Sequence, residues 1–304
     1  MSGAIDAVAA AYAQLSAGKA TMPLRSRFNT EKGVTLLMPA HLHDTGDFAV
    51  KIVSVYGDNP KLGLPTVAAT VLALNPDTGM PLALLEGDSL TALRTGAAGG
   101  VAARYLARRD AKVVALFGAG VQARAQLQAV MAVRTIETVL IVDPLAAAAH
   151  RLADEVAGWP EAPEVRIAES PKSAVAQADI VLAATTSKTP LFDGSDLKPG
   201  THVTGVGSFT PVMQEVDETT IRRARVVVDQ REAAMAEAGD LILGKAVVDA
   251  EIGEIINGDK PARRDDEEIT FFKSVGLAVQ DAVTAAAVLK AAQKKALGTV
   301  IDMG

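Results

Sequence analysis

Residues 112–144 read KVVALFGAGVQARAQLQAVMAVRTIETVLIVDP, and this stretch decides the fold. An apolar run ends in glycines, a segment with helical spacing follows, and a second apolar run closes the unit. Further strand-like segments recur downstream as ADIVLAATTSKTP, THVTGVGSFTP and ARVVVDQ, with helical segments between several of them. Alternating strands and helices are typical of a parallel sheet that is covered on both faces. The sequence therefore predicts an α/β fold with a Rossmann-type, doubly wound parallel sheet.

The loop between the first strand and its helix carries a G-x-G-x-x-[GA] pattern. Gly118 allows the tight turn, Gly120 lets the backbone approach a pyrophosphate, and Ala123 keeps the helix close to the strand. Val121 and Gln122 open the helix, whose N-terminus favours negative charge. These five residues are predicted to bind NAD or NADP. The alternative is a tight strand-to-helix turn that binds no ligand.

Asp143 ends the second strand, about 20 residues beyond the glycines. A carboxylate there can accept hydrogen bonds from the adenosine ribose, and it would repel a 2′-phosphate. No arginine follows directly, since the next one is Arg151. These features favour NAD over NADP, although Asp143 also suits a plain turn before Pro144.

Two later loops, AATTSKTP and GVGSFTP, follow strands of the same predicted sheet. Ligands of doubly wound sheets bind outside the carboxyl ends of the strands. Thr185, Thr186, Val206 and Gly207 are therefore predicted to border the cofactor, although any one of them could be scaffold.

The chain up to about residue 105 combines strand-like and turn-like segments. GVTLLMPAHL and FAVKIVSVY predict strands, and PTVAATVLALNPDTGMPLALLEG predicts a hairpin. DSLTALRTGAAGGVAARYLARRD predicts a helix that Asp88 or Ser89 caps. Its glycines indicate either close packing on a neighbouring element or close approach to a ligand. The boundary with the parallel-sheet region falls near residue 108.

Composition bounds the class of protein. The 304 residues are 49% hydrophobic and 22% charged, and the net charge of -6 argues against nucleic-acid binding. The N-terminus lacks the basic region of a signal peptide, and no apolar run is long enough to cross a bilayer. The chain has no cysteine, which suits a cytoplasmic protein and excludes cysteine-ligated zinc. His41 and His43 are weak evidence for a metal, and no metal site is expected.

Three cations of the first region stand out. Lys51 lies between apolar residues on both faces of its predicted strand, so we expect the lysine to be buried. Arg25 follows a proline in TMPLRSRF, and Arg94 lies mid-helix in LTALRTG. A buried cation is costly unless it is paired, and a surface position is the alternative for both arginines. Three cations that converge beside a nicotinamide would make a carboxylate-binding pocket, but spacing alone does not show that they converge.

Segments spread over most of the chain resemble the ornithine cyclodeaminase/mu-crystallin family. They are MPLR, FAVKIVS, LPTVAATVLALNPDTGMPLALLEGDSLTALRTGAA, VALFGAGVQA, GSFTPVMQEVD and FFKSVGLAVQDAV. The resemblance implies a dinucleotide-binding Rossmann domain at 109–282. Beside it, residues 1–108 with 283–304 are expected to form an α+β domain for substrate binding and dimerisation. The C-terminal helix is expected to complete this domain, and a homodimer is therefore expected.

The resemblance also implies roles for single residues. Arg25, Lys51 and Arg94 correspond to the family residues that hold a substrate carboxylate near the nicotinamide. Thr95 and Ser274 lie in two of the matched segments and are expected to contact the cofactor.

Two departures from the cyclodeaminase pattern concern the substrate. Cyclodeaminases carry a catalytic Asp in a G-x-D-x-P loop, and this chain has Phe209 in its place. They also hold the distal amine of ornithine with an acid upstream of the lysine, where VTLLMPAHLHD places Met38. An apolar pocket without both acids suits a compact substrate, so Met38 and Phe209 are expected to line the substrate site.

The expected activity is NAD(P)H-dependent reduction of a small cyclic imino acid, as in the ketimine reductases of the family. The candidate reactions are Δ1-pyrroline-2-carboxylate to L-proline and Δ1-piperideine-2-carboxylate to L-pipecolate. Lys51 is the expected catalytic residue, because a lysine in an apolar setting can exchange protons near neutrality. The alternatives are an alanine dehydrogenase-type oxidoreductase, an ornithine cyclodeaminase and a non-catalytic binding protein like mu-crystallin.

Overall fold

The computed structural model describes residues 1–301 and contains two separate sheets. The first sheet is antiparallel and runs in the order β1-β3-β4-β5-β6, with β2 paired to β3. Its strands are β1 (Ala20–Thr21), β2 (Ser26–Asn29), β3 (Val34–Leu42), β4 (Phe48–Val55), β5 (Val67–Leu74) and β6 (Pro81–Glu86). The register places Lys51 of β4 opposite Met38 of β3 and Val71 of β5. The predicted hairpin is therefore confirmed as β5 and β6.

The second sheet is parallel throughout and runs in the order β13-β12-β14-β11-β10-β7-β8-β9. Its strands are β7 (Val113–Phe117), β8 (Thr138–Val142), β9 (Glu164–Ile167), β10 (Ile180–Ala183), β11 (His202–Gly205), β12 (Arg225–Val228), β13 (Ala250–Glu251) and β14 (Thr270–Lys273). The chain leaves β7 toward one edge and returns beside it at β10, which makes a topological switch point there. The predicted Rossmann-type doubly wound sheet is confirmed.

Ten helices accompany the sheets within residues 1–301. They are α1 (Ser2–Ser16), α2 (Gly87–Leu106), α3 (Val121–Met131), α4 (Ala146–Ala157), α5 (Pro171–Gln177), α6 (Glu218–Arg223), α7 (Arg231–Glu237), α8 (Gly239–Leu243), α9 (Ile252–Ile256) and α10 (Ala278–Lys294). None of these helices is long and apolar enough to cross a membrane.

Two details of the predicted elements are wrong. The N-cap of α2 is Glu86, whose carboxylate accepts the backbone N–H groups of Asp88 and Ser89, the two residues that were expected to cap it. A cap must precede the first helical turn to reach its free N–H groups, and the helix begins two residues earlier than its first strong cap residue suggests. Strands β1, β2, β9, β13 and β14, of two to four residues each, were not predicted.

The strand that holds Lys51 is buried on one face only. Ala49, Lys51 and Val53 are 9% exposed or less, but Ile52 on the other face is 44% exposed. The expectation of burial on both faces is therefore wrong for the single chain. The covered face packs on α2 and α10, and the outer face of the sheet has no layer upon it within residues 1–301.

The glycine-rich turns of α2 pack closely on α3. A Cβ added to Gly96 would lie 2.5 Å from the carbonyl oxygen of Ala125, and one added to Gly100 would lie 2.6 Å from Ile5. Gly99 has no room either, because an added Cβ would collide with Gln126. Close packing therefore explains these glycines, and it fixes the helix that carries Arg94 against the Rossmann-type sheet.

The last helix returns to the first sheet. α10 packs against α1, α2, β3, β4 and β5, which places its first turn beside Lys51. This return fits a discontinuous first domain, although the proposed bounds of 1–108 with 283–304 and 109–282 stay a prediction. Residues 302–304 of that division lie outside the described part of the chain.

Candidate active site

The glycine loop has the geometry that a dinucleotide needs. Gly118 follows β7 with φ +95°, and an added Cβ would lie 2.6 Å from the carbonyl oxygen of Ala184, so only glycine fits there. Gly120 faces open space, since an added Cβ would meet nothing within 4 Å. Among the described residues, no side chain caps the N-terminus of α3. Its free N–H groups and the open approach suit the pyrophosphate of NAD or NADP.

Asp143 lies at the end of β8, beside the glycine loop. One carboxylate oxygen accepts the N–H of Ala119 at 2.9 Å, and the other accepts the N–H of Leu145 at 2.8 Å. The second contact is the local turn that the sequence left open as an alternative. Each oxygen keeps a further lone pair, so the turn and a contact with ribose hydroxyls are compatible.

The loops after β10 and β11 are tied together by Glu215. Its Oε1 accepts the N–H and the hydroxyl of Thr185 at 2.7 and 2.9 Å. Its Oε2 accepts the N–H groups of Gly207 and Ser208 at 2.7 and 3.2 Å. Burial raises the pKa of Glu215, and Lys273 opposes that shift. The side chain of Thr185 is therefore engaged by the protein, while its loop borders the glycine loop through Gly118.

Lys51 and Arg94 meet at one buried carboxylate. Lys51 Nζ donates to Asp281 Oδ1 at 2.9 Å and lies 2.8 Å from Oδ2, while Arg94 Nε donates to Oδ1 at 3.0 Å. The side chains of Lys51 and Asp281 are each 1% exposed. Asp281 lies in the first turn of α10, a position where the helix dipole favours negative charge. The predicted burial of Lys51 is confirmed, and its partner is an acid 230 residues away.

Arg25 joins this cluster through Gly276. Arg25 Nη2 donates to the carbonyl oxygens of Val275 and Gly276 at 3.1 and 3.0 Å, and it forms an ion pair of 2.7 Å with Glu237. Gly276 has φ +80°, and an added Cβ would collide with Arg94 Nη1. The three predicted cations therefore converge around Gly276 and Asp281, which settles what their spacing left open.

A network of hydrogen bonds around Arg94 connects three helices. Gln280 Oε1 accepts Arg94 Nη1 at 3.3 Å and the N–H of Leu277 at 2.6 Å, while its Nε2 donates to the Tyr12 hydroxyl at 2.8 Å. Burial raises the pKa of Tyr12 well above its ordinary value, so the phenol stays protonated at neutral pH. This network holds the guanidinium of Arg94 in place from α1, α2 and α10.

Burial and charge set the protonation of the cluster. The pKa of Lys51 is lowered from 10.5 to about 7, chiefly by burial and further by the charges of Arg94 and Arg25, while Asp281 opposes the shift. Burial also lowers the pKa of Arg25, while Glu237 opposes the shift. A lysine that titrates near neutrality can hold a charge and can also release a proton.

The cluster borders a small cavity of about 20 Å³. Its lining includes Met38, Arg25, Glu237 and Gly276. A cavity of this size has room for a single water molecule. A ligand larger than a water molecule can therefore enter this cavity only if the surrounding side chains move.

The structure gathers some predicted residues and separates others. Met38 is 3% exposed and lines the same cavity as Arg25, and its contact with a substrate stays a prediction. Phe209 is 40% exposed and does not line that cavity. Thr95 and Ser274 are buried, and their polar atoms bond to Gln126 and Asp229 respectively. Their roles, like those of Thr186 and Val206 in the exposed or partly buried loops, stay predictions.

Four functional candidates were not predicted: Asp281, Glu237, Glu215 and Gly276. An acid in an amphipathic helix normally indicates a solvated face, so Asp281 and Glu237 gave no signal. The pattern GSFTPVMQEVD contains Glu215 but does not show that its carboxylate faces inward. Within residues 1–301, no cluster of His, Asp and Glu could hold a metal ion.

Comparison with known proteins gives a consistent family. The model of the ornithine cyclodeaminase/mu-crystallin family matches residues 1–296. The Delta(1)-pyrroline-2-carboxylate reductase of Bacillus cereus is 38% identical over 99% of this chain and 95% of its own length.

Two solved structures share the fold over nearly the whole chain. Thermococcus litoralis Delta(1)-pyrroline-2-carboxylate reductase in complex with NADH and L-proline has 42% identity and a TM-score of 0.93, covering 98% of this chain and 95% of that one. An archaeal alanine dehydrogenase dimer with bound NAD has 36% identity and a TM-score of 0.93, covering 99% and 94%. With the match of the family model, these likenesses confirm the predicted resemblance: the chain belongs to the ornithine cyclodeaminase/mu-crystallin family.

Proposed function

We propose that the chain is an NAD(P)H-dependent reductase of small cyclic imino acids. Δ1-Pyrroline-2-carboxylate, reduced to L-proline, is the first candidate substrate, and Δ1-piperideine-2-carboxylate, reduced to L-pipecolate, is the second. The expected enzyme class, an NAD(P)-dependent oxidoreductase, is confirmed by the relatives, which are named reductases and dehydrogenases.

The convergence of Arg25, Lys51 and Arg94 carries the proposal. Arg94 Nη2 and the Nε and Nη1 atoms of Arg25 have no protein acceptor within residues 1–301. Two guanidinium groups with free donors suit the carboxylate of an imino acid. Met38 lies opposite Lys51, so no acid from β3 is present to hold a second amine. A compact substrate with one carboxylate and one imine fits this arrangement.

The residues have distinct roles in the proposed reaction. The reduced nicotinamide supplies a hydride when bound. Gly118, Gly120 and the N-terminus of α3 would hold its pyrophosphate. Arg25 and Arg94 hold the substrate carboxylate and thereby orient the imine, and Lys51 gives a proton to the imine nitrogen. The reaction needs no metal. Positioning is expected to dominate the rate, because the imine carbon must be placed over the nicotinamide ring.

We further propose NADH as the preferred cofactor, because the carboxylate of Asp143 would repel a 2′-phosphate. A direct comparison of kcat/KM for NADH and NADPH tests this preference. A value for NADPH equal to or above that for NADH would contradict it. The cytoplasmic location stays a prediction.

A homodimer is also proposed, through the outer face of the first sheet. Phe28, Ile52, Leu82 and Leu84 share that face by register and are 44–73% exposed. Contiguous exposed apolar residues of this kind mark interaction surfaces. The archaeal alanine dehydrogenase of the same fold is a dimer. Light scattering of the purified protein tests the proposal, and a monomeric mass at micromolar concentration would contradict it.

One assay panel tests the activity. Oxidation of NADH and NADPH is measured with each cyclic imino acid and with pyruvate plus ammonia, and ammonia release is measured with ornithine. We expect turnover with the cyclic imino acids. A strict requirement for pyruvate plus ammonia would favour the alanine dehydrogenase alternative, and release of ammonia from ornithine would favour the cyclodeaminase. Tight NADH binding without any turnover would favour the binding protein.

A further inference from the structure

We propose that Asp281 is the positioning residue that keeps Lys51 charged and holds it beside Arg94, and thereby makes Lys51 the proton donor. This inference rests on the proposed function and deepens it. Asp281 touches neither substrate nor cofactor in this role. It acts through Lys51 and Arg94, the two cations that its carboxylate joins.

Within residues 1–301, the acid that forms an ion pair with Lys51 is Asp281. β3 and β5 flank it with Met38 and Val71, which are apolar. α2 presents Arg94, the segment between β1 and β2 presents Arg25, and α10 presents Asp281. The Tyr12 hydroxyl of α1 reaches the cluster through Gln280. Among the charged groups that act most strongly on Lys51, Asp281 is the one that favours its charged form. Asp229 accepts from Ser274, Val275 and Gly276 instead, and Glu237 pairs with Arg25.

Opposing effects therefore meet at Lys51. Burial, Arg94 and Arg25 all lower the pKa of the lysine, and the Coulomb attraction and hydrogen bond of Asp281 raise it. Without the carboxylate, burial and two positive charges would act unopposed. Lys51 would then be neutral at the pH where the enzyme works and would have no proton to give.

The proton balance of the step is simple. A hydride adds to the imine carbon, and the electron pair of the C=N bond moves to nitrogen. The nitrogen takes a proton from the ammonium of Lys51, which becomes a neutral amine and regains a proton from water. Asp281 takes no part in the transfer, and its Oδ1 keeps the hydrogen bond from Arg94 Nε while the lysine is neutral.

Asp281→Asn tests the role, because the amide keeps the size of the side chain and removes its charge. We expect the pKa of Lys51, followed by ¹⁵N NMR of its Nζ and assigned with Lys51→Arg, to fall by at least about one unit. The descending limb of kcat/KM against pH should move to lower pH by a similar amount. At pH 7.5 the rate should fall at least about 10-fold. Asp281→Glu, which restores the charge, should recover part of both losses.

A matched control exists in the chain. Asp240→Asn removes the acid from the other buried lysine pair, so it should leave the NMR titration of Lys51 unchanged. A loss of rate in Asp281→Asn with an unmoved titration and pH profile would show a purely structural role and overturn the proposal. If Asp281→Asn does not fold, the Lys51 titration of Asp281→Glu is compared with that of a charge-free variant such as Asp281→Ser. Identical titrations of Lys51 in these two variants would also overturn the proposal. If the wild-type protein reduces no imino acid, the proposed function fails, while the titration still decides whether Asp281 controls Lys51.

Discussion

Two lysine–aspartate pairs within residues 1–301 are almost wholly buried, and they differ in what surrounds them. Lys51–Asp281 is 1% exposed, and Lys273–Asp240 is 0% exposed. In the first pair the acid is shared with Arg94, so two cations depend on one carboxylate. In the second, Asp240 Oδ1 accepts the backbone N–H groups of Glu215 and Val216 at 2.6 and 3.1 Å.

The comparison shows that burial of a charge does not by itself mark a functional site. Asp240 and Glu215 both act on the single positive charge of Lys273, and their oxygens take backbone donors. Around Lys51 the guanidinium groups keep unused donors that point to a ligand with negative charge. We infer that the cluster with an excess of positive charge suits an anionic substrate, whereas the cluster in which two acids face one lysine holds loops in place through backbone hydrogen bonds.

Replacing each lysine by methionine should separate the two roles most clearly. Lys51→Met removes the proton donor, so we expect kcat/KM for imine reduction to fall by about 10² to 10⁴-fold. Its free energy of unfolding should change by only about 1 kcal/mol or less, because Arg94 still pairs with Asp281.

Lys273→Met leaves Asp240 buried without its cation. We expect a loss of about 3–5 kcal/mol in the free energy of unfolding, measured by urea denaturation. The folded fraction should keep measurable activity, since Lys273 pairs with Asp240 and not with the acid that joins Lys51 and Arg94. If Lys51→Met lost as much stability as Lys273→Met, or if Lys51→Met stayed fully active, the two pairs would not differ in role.

The lowered pKa of Lys51 should make the free energy of unfolding depend on pH. The pKa of Lys51 is about 7 in the folded protein and near 10.5 in the unfolded chain. Below pH 7 both states carry the proton and the full cost of burying the charge is present. Between pH 7 and 10.5 the unfolded chain binds more protons, so wild type should gain stability relative to Lys51→Met, by at most about 1.4 kcal/mol per pH unit. Parallel urea-denaturation curves for the two proteins over this range would refute the lowered pKa.

Local patterns predicted the fold well. The strand, glycine loop and helix at 112–144 form one continuous unit, and each element shows its own periodicity. β14 was not predicted, because its polar ends Thr270 and Lys273 leave only two apolar residues between them. The exposure of Ile52 was not predicted for another reason, since the pattern of a strand does not show which layers cover the sheet.

Only the cations of the candidate site were predicted from the sequence. The cations could be identified because a lysine or arginine among apolar residues is conspicuous within a single element. Their anions could not, since Asp281 and Glu237 come from helices far along the chain that fold back on β4 and Arg25. An ion pair between distant segments follows from the tertiary packing, which no local spacing encodes.

The smallest expected effect belongs to the second region and concerns the cofactor. Glu215 lies beside Lys273–Asp240 and holds the loops of Thr185 and Gly207 through their backbones. Glu215→Gln keeps the shape but replaces one acceptor oxygen by an NH₂ group, which faces N–H donors and frees one of the two loops.

We expect the dissociation constant of NADH, measured by fluorescence, to rise about 3 to 10-fold, in keeping with the loss of about one buried hydrogen bond. The KM for the imino acid at saturating NADH should change much less, because the cluster around Lys51 is untouched. Glu155→Gln, at an exposed ion pair with Arg124, is the matched control and should leave both constants as they are. A Glu215→Gln protein that bound NADH normally but lost affinity for the imino acid would reverse the assignment, since the cluster of Lys273, Asp240 and Glu215 would then be acting on the substrate.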